Sequence, residues 1–354
     1  MRKIIDRLVW ILAQISPVAF NYYTGKKRFW GGGIIRFDIE KAISRFNGGR
    51  GSFGLKKDIL KAYQKYGTTA DEYFLFGYMG RGEDYRSAFL ADKYKDIYSI
   101  NCSKGELSGI EVYHDLSDKY NFYCKYKKYF NRAAIKITDV SDLEAFMQFV
   151  NAHSQFIIKP LTGSLGGGVH RDCVSGSRPA KEVFDDLLAN GKWIVEELIN
   201  QKDEMALWNA TSINTVRIPS IRSSKGIIIL QPFFRTGREG MVVDNAGAGG
   251  IFATLDAKTG IVISNGLDES GNTYERHPDS NMKYIGYHIP EWEGLLAIAN
   301  KIHNEMPCYH KYVAFDFAYS ERGWVLVEAN WGQFLGQYAS KIGIRNQFEE
   351  LMMG

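Results

Sequence analysis

Apolar positions recur with two different spacings along the chain, and the change from one to the other marks its organisation. Helical spacing runs through Lys57–Tyr66 and again around Asp71–Tyr78, after glycine-rich punctuation at Gly31-Gly32-Gly33 and Gly48-Gly49-Arg50-Gly51. The stretch Asp118–Phe130, DKYNFYCKYKKYF, keeps a helical pattern while carrying many lysines and tyrosines. From residue 134 the texture becomes short strands alternating with helices. Ala134–Ile137, Phe156–Lys159 and Trp193–Leu198 read as strands, and Asp142–Ala152 as a helix opened by an acidic cap. Ile213–Ile221 and Gly226–Phe234 read as antiparallel neighbours joined at Ser223-Ser224-Lys225, and Ile251–Leu255 and Ile261–Ser264 as two more strands around Lys258-Thr259-Gly260. Glu291–Met306 is helical, and a final hairpin runs through Tyr312–Tyr319 and Trp324–Ala329. Helices segregated against mainly antiparallel sheets predict an α+β architecture. The expected divisions are residues 1–115, a helical and mixed extension, then 116–200 and 201–354.

Composition narrows the function classes only a little. The 354 residues are 45% hydrophobic and 24% charged with a net charge of +4, which supports a large core and does not call for nucleic acid as a partner. Lysines and tyrosines in the Asp118–Phe130 stretch could serve single-stranded nucleic acid, but a solvated helix with half-buried tyrosines is the favoured reading. Four cysteines stand without metal-binding spacing and read as free thiols. At the start, Arg2 and Lys3 precede Leu8–Ala13, but Asp6 and Arg7 interrupt the apolar run and Pro17 ends it. That segment is too short to span a bilayer and reads as an amphipathic helix packed on the protein, ahead of a membrane-surface anchor. The expected compartment is the cytoplasm, with residues 1–20 as the segment for any peripheral membrane contact.

Chemistry first shows at Lys159. The strand ending Ile158-Lys159-Pro160 runs into Thr162-Gly163-Ser164-Leu165-Gly166-Gly167-Gly168. Glycines let backbone N–H groups approach phosphate oxygens, Ser164 adds a donor beside Gly166 and Gly167, and the lysine supplies a point charge. Neither a Walker A loop nor the dinucleotide fingerprint fits the spacing. Taken alone, such a loop is equally well explained as an ordinary turn.

The C-terminal hairpin carries more. Asp316 interrupts Val313–Ala318, and Glu328 and Asn330 end Val325–Asn330, two positions apart and therefore on one face. A two-residue turn at Glu321-Arg322 would set Val327 opposite Asp316, whereas a three-residue loop, with Gly323 in its left-handed slot, sets Glu328 there. The glycine favours the second register. Two carboxylates and an amide oxygen then converge, a donor set suited to Mg2+, which takes its other ligands from water and substrate phosphates.

The order of lysine, glycine loop, Glu196-Glu197-Leu198 and then Asp316…Glu328-x-Asn330 resembles the ATP-grasp superfamily. More narrowly, Ile213–Ile218 (INTVRI) and Asp244–Gly250 (DNAGAGG), followed by Thr259-Gly260, resemble the sugar-transfer-associated ATP-grasp family, over about residues 70–340. The resemblance implies an ATP-grasp fold in which two α/β subdomains grip ATP between antiparallel sheets. It implies that Lys119 and Lys159 hold the ATP phosphates, that Glu196, Glu197 and Leu198 form the hinge beside adenine, and that Glu204 meets the ribose. Arg217 would steady the transferred phosphate, with Asn245 and Arg235 nearby, and Asp316, Glu328 and Asn330 would bind Mg2+. One departure from many carboxylate–amine ligases of the superfamily is Ala314, two positions before Asp316, where those carry arginine.

The implied activity is ADP-forming amide synthesis through an acyl-phosphate. It would join an amino acid or amine to a sugar acid, free or nucleotide-linked, in capsule or other surface-polysaccharide assembly, with residues 1–20 as a docking segment for a glycosyltransferase. The alternatives are a kinase acting on a sugar or small molecule, and a non-catalytic nucleotide or glycan binder. His170, after the glycine loop, and Trp331-Gly332-Gln333, after Asn330, are further candidates for substrate contact.

Overall fold

The computed structural model describes residues 36–49, 51–92, 115–163, 167–330 and 334–353. The expected amphipathic segment at residues 1–20, the loop residues Ser164 and Gly166, and Trp331-Gly332-Gln333 lie outside the described residues. The chain forms two compact units, one from residues 1–99 with 341–350, the other from 100–340 with 351–354.

In the first unit, helices Phe53–Tyr66 and Ala70–Leu75 form over the two stretches of helical spacing, and helices Arg36–Asn47 and Glu83–Ser87 lie outside them. Ser52 caps the second helix, and Thr69 with Glu72 makes a reciprocal capping box on the third. Tyr73, Phe76, Tyr78 and Phe89 are all essentially buried, with Phe76 and Phe89 4.7 Å apart at their ring centres. Asp58 takes a two-pronged bond from Arg86 at 2.9 and 2.8 Å and a hydroxyl bond from Tyr73 at 2.5 Å.

The second unit holds two antiparallel sheets. Strands β1 (Ala134–Ile137), β2 (Gln155–Pro160), β3 (His170–Cys173) and β4 (Trp193–Glu197) form the smaller, in the order β1-β4-β2-β3. Its core comes from two helices, Leu143–Ala152 and Ala180–Asn190. They present Phe146, Phe149 and Val150, and Val183, Phe184 and Leu187, spacings that place each trio on one helix face.

The larger sheet is built from β5 (Thr215–Ser223), β6 (Gly226–Ile229), β7 (Phe233–Thr236), β8 (Ile251–Thr254), β9 (Gly266–Leu267), β10 (Thr273–Tyr274), β11 (Tyr312–Ser320) and β12 (Gly323–Asn330). Its order is β10-β9-β8-β7-β5-β11-β12, with β6 paired to β5. The strand expected over Gly226–Phe234 is broken where Gln231 takes φ +51°, a left-handed conformation that extended pairing does not accommodate. Ile261–Ser264 makes only isolated bridges, Leu255 to Val262 and Ile261 to His288. Helix Trp292–Glu305 packs Leu295, Ala299 and Ile302 into the same core as Phe315 and Phe317, and helix Lys119–Phe130 adds Phe122, Tyr126 and Phe130. Lys125, Lys127 and Lys128 of that last helix are outside, so its apolar and basic residues divide between core and solvent. Among the described residues no helix is long and apolar enough to cross a membrane.

His303, on the Trp292–Glu305 helix, is fully buried between Ser220 Oγ at 2.6 Å and the His310 carbonyl oxygen at 2.8 Å. Burial pushes its imidazole down to about 4. A depressed histidine supports the fold fully above its unfolded value near 6.5, and this support is lost as pH falls toward about 4. Between pH 7.5 and 5.0 the loss amounts to about 2 kcal/mol. Urea unfolding at those two pH values should show His303→Gln narrowing the fall in stability by that amount; an equal fall in both proteins would contradict the assignment.

Candidate functional site

Asp316 sits in the middle of β11 with no exposed surface, paired across the sheet with Arg217 of β5 on one side and Glu328 of β12 on the other. Directly opposed residues in an antiparallel sheet share a face. Arg217 reaches Asp316 with Nε and Nη2, each at 2.6 Å to a different carboxylate oxygen. Arg235 of β7 lies on the same face, because it opposes Thr215, which opposes Ala318. Its Nη2 is 2.9 Å from Asp316 Oδ2 and 3.5 Å from Asp244 Oδ1, while its Nε donates to Thr215 Oγ1 at 2.9 Å. Asp244 accepts from the Thr215 amide and hydroxyl at 2.9 and 2.6 Å. Burial opposes the charge on Asp316, but Arg217 and Arg235 overcome it and hold the carboxyl far below its ordinary range. Asp244 goes the other way, raised by burial despite Arg235.

The expected register of Glu328 opposite Asp316 is present, but the expected cause is not. Pairing closes at Ser320 and Gly323 around a two-residue turn, Glu321-Arg322, and continues in step as far as Phe317 with Leu326. Gly323 does take the left-handed conformation, φ +83°. The shift comes later: pairing slips between Asp316 and Phe317, leaving Val327 as an extra residue, and only then does Glu328 face Asp316. A bulge, and not a third loop residue, therefore sets the hairpin. Beyond it Asn330 opposes Ala314 and donates its amide to Glu328 Oε1 at 3.3 Å.

Above this face stand the cations of the smaller sheet. Lys159, near the end of β2, donates to Glu196 Oε2 at 3.1 Å. Glu196 is buried, and burial alone would raise its carboxyl, yet Arg132 and Lys159 pull it below its usual value. Lys119, at the first turn of its helix, bonds the Gly163 carbonyl oxygen at 2.8 Å. Burial lowers its ammonium while Glu328 pulls it back up, and Lys119 and Lys159 lie near enough to oppose each other's charge. Lys119, Lys159, Arg217, Asp316, Glu328 and Asn330, chosen from the sequence, thus converge on one cluster, with Arg235 directly behind Asp316.

Of the other expected residues, Glu196 is tied to the cluster through Lys159 and the rest stand further off. Glu196 and Glu197 are the last two residues of β4, and Leu198 follows the strand. The Glu197 side chain accepts from the Ala133 amide at 2.9 Å and Arg322 at 2.7 Å. Gly167 lies in an exposed turn. Asn245 begins the loop after Asp244, and its carbonyl oxygen accepts from the Ala248 and Gly250 amides at 2.9 and 3.0 Å. Gly250 cannot carry a side chain there, since a Cβ would lie 2.1 Å from the Asp244 carbonyl oxygen. Glu204 is exposed, bonded through its carbonyl oxygen to the Tyr287 hydroxyl at 2.7 Å, with no contact to the charged cluster. His170 is exposed on β3 against the Gly168 carbonyl oxygen at 3.0 Å.

One residue of the cluster escaped the sequence reading: Arg132. Buried just before β1, it donates Nε and Nη2 to Glu196 Oε2 at 2.9 and 2.6 Å. Its Nη1 reaches the Leu326 carbonyl oxygen at 2.6 Å, and Nη2 the Val327 carbonyl oxygen at 3.3 Å. No motif marks it, because its partners are distant in sequence.

The donor chemistry fits a hard divalent cation. Burial and the charge of Asp316 together raise the Glu328 carboxyl. Glu328 keeps about a third of its side chain exposed (32%), whereas Asp316 is sealed behind it by arginines. With its nitrogen turned to Glu328, Asn330 has its oxygen as the end suited to a metal. Among the described residues no three His, Cys, Asp or Glu side chains group as a metal site.

Comparison with known proteins adds the family. Residues 182–351 match the family described as sugar-transfer associated ATP-grasp. No curated protein matches the chain. Solved structures that resemble it include D-alanyl-alanine synthetase A from Vibrio cholerae, 11% identical, covering 67% of this chain and 61% of that one, with a TM-score of 0.40. D-alanine-D-alanine ligase from Helicobacter pylori is 12% identical, with coverages of 68% and 61% and a TM-score of 0.41. An L-amino acid ligase from Bacillus licheniformis is 11% identical, with coverages of 61% and 40% and a TM-score of 0.37. The chain therefore spans about three-fifths or less of the length of these structures. Over residues 182–351, a little under half of its length, the chain is similar to the sugar-transfer-associated ATP-grasp family.

Proposed function

We propose that the protein is an ATP-dependent carboxylate–amine ligase that works through an acyl-phosphate. The observation that carries this reading is that Lys119 and Lys159 lie within electrostatic reach of Glu328, to which Asn330 is bonded, with Arg217 and Arg235 paired to Asp316 behind. Such an arrangement suits a polyphosphate, because phosphoryl transfer asks the protein mainly for charge placement. Lys119 and Lys159 would hold the ATP phosphates, the turn at Gly167 would lie over them, and the backbone after Glu196 and Glu197, at Leu198, would meet adenine. Glu328 and Asn330, with Asp316, would hold Mg2+, which neutralises charge on the phosphate oxygens when bound.

In the first step a substrate carboxylate oxygen attacks the γ-phosphorus, the bond to the β-phosphate oxygen breaks, and ADP departs. An amine nitrogen then attacks the acyl carbon, the acyl carbon–oxygen bond breaks, phosphate leaves, and the amine proton passes to water. Arg217 keeps its charge throughout, held by Asp316, and would meet the transferred group. Asn245 would border the same oxygens from the loop after Asp244. With Ala314 two residues before Asp316, the part played elsewhere by an arginine at that place would fall to Arg217. The sugar-transfer description of the family supports a sugar acid as one partner and an amino acid or amine as the other, in surface-polysaccharide assembly.

A panel of amino acids and sugar acids, free and nucleotide-linked, tests the reaction class through ADP release and product mass. With hydroxylamine in place of the amine, a hydroxamate of the carboxylate partner is expected; a stable phosphorylated product without hydroxamate would show a kinase instead. Glu328→Gln should abolish turnover, more than about a hundredfold, with an unchanged circular dichroism spectrum. Turnover at the wild-type rate in that variant would refute the metal assignment.

A further inference from the structure

We propose that Arg132 is a positioning residue that couples the phosphate lysine Lys159 to the metal carboxylate Glu328. The inference rests on the nucleotide reading above. The Arg132 side chain bonds both the Glu196 carboxylate of the smaller sheet and the β12 backbone of the larger one. On one side its Nε and Nη2 hold Glu196 Oε2, the same oxygen that Lys159 donates to at 3.1 Å. On the other side its Nη1 and Nη2 hold the carbonyl oxygens of Leu326 and Val327 at 2.6 and 3.3 Å. Those carbonyls flank the extra residue of the β12 bulge, and the bulge is what turns Glu328 toward Asp316. The side chains of Arg132 and Glu196 are each 3% exposed, so neither can trade its partner for water. A planar guanidinium with five donors is fixed in direction by such bonds in a way that a lysine ammonium is not. Its ring-face contact with Phe130, 4.9 Å from the centroid, holds the plane from a further side.

The consequence is cooperative binding. Phosphates drawn to Lys159 pull on Glu196, and through Arg132 the same displacement reaches the carbonyls that set Glu328. A cation at Glu328 acts on Lys159 by the same route in reverse, since coupling between two binding events is reciprocal. The quantity that reports it is the ratio of ATP dissociation constants measured with EDTA and with Mg2+.

Calorimetry on the full chain measures this ratio for the wild type, Arg132→Lys, Glu196→Gln, Glu328→Gln, and the double variant Arg132→Lys with Glu328→Gln. Arg132→Lys is expected to lower the ratio roughly tenfold, within the usual range of site coupling. Glu196→Gln, which loosens the clamp from its other end, should lower it likewise and carries the test if the lysine variant does not fold. The double variant should show a ratio no lower than Glu328→Gln alone, because both changes interrupt one route. A wild-type ratio in Arg132→Lys or Glu196→Gln, or a double variant whose loss is the product of the two single losses, overturns the coupling. Wild-type protein that binds no ATP with or without Mg2+ overturns the nucleotide reading itself, a result distinct from both.

Discussion

A carboxylate with no access to water fixes most of this charged cluster. Asp316 lies on β11, between β5 and β12 of the larger sheet, with no exposed surface, and an uncompensated charge there would cost several kcal/mol. Arg217 and Arg235, from β5 and β7, meet it at 2.6 and 2.9 Å, which brings a third strand into the compensation. Arg235 in turn needs Asp244 and Thr215, and Asp244 begins the glycine loop that runs to Gly250. The charges are thereby held in place by one another. This is the condition under which electrostatic stabilisation of a transferring phosphate needs no reorganisation.

The smaller sheet follows the same logic one layer out. Glu196 is as buried as Asp316 and is compensated by Arg132 and Lys159. Five cations, Lys119, Lys159, Arg132, Arg217 and Arg235, thus face four carboxylates, Glu196, Asp244, Asp316 and Glu328. Three of those carboxylates, Glu196, Asp244 and Asp316, are tied to arginine side chains by direct bonds or close ion pairs. Glu328 is the exception, with its closest arginine nitrogen at 4.0 Å, and it is also the partly exposed one. A metal-bound polyphosphate would add the missing negative charge to the lysines and the missing positive charge to Glu328.

The sequence made the apolar strands and polar interruptions plain, because residues such as Asp316 and Glu328 stand out in Val313–Ala318 and Val325–Asn330. Helices with regular apolar spacing, such as Trp292–Glu305, were equally legible. The bulge at Val327 was not, since valine there looks like any strand residue, and Gly323 offered a nearer explanation for the same register. Nor was the break at Gln231, where a left-handed residue with a long side chain interrupts a continuous apolar run. Arg132 was invisible because its partners lie 64 and 194 residues away, joined only when the two sheets are both in place. Glu204, which the resemblance implies as a ribose partner, is exposed and bonds the Tyr287 hydroxyl through its main-chain carbonyl oxygen.

The central claim is that Glu328 and Asn330 hold a divalent cation beside phosphates bound by Lys119 and Lys159. The direct measurement is a crystal structure with Mn2+ and a non-hydrolysable ATP analogue, using anomalous scattering to locate the metal. An anomalous peak at coordination distance from Glu328 and Asn330, with the triphosphate against both lysines, is the predicted result. Nucleotide bound elsewhere, or a metal peak away from Glu328, would contradict the account.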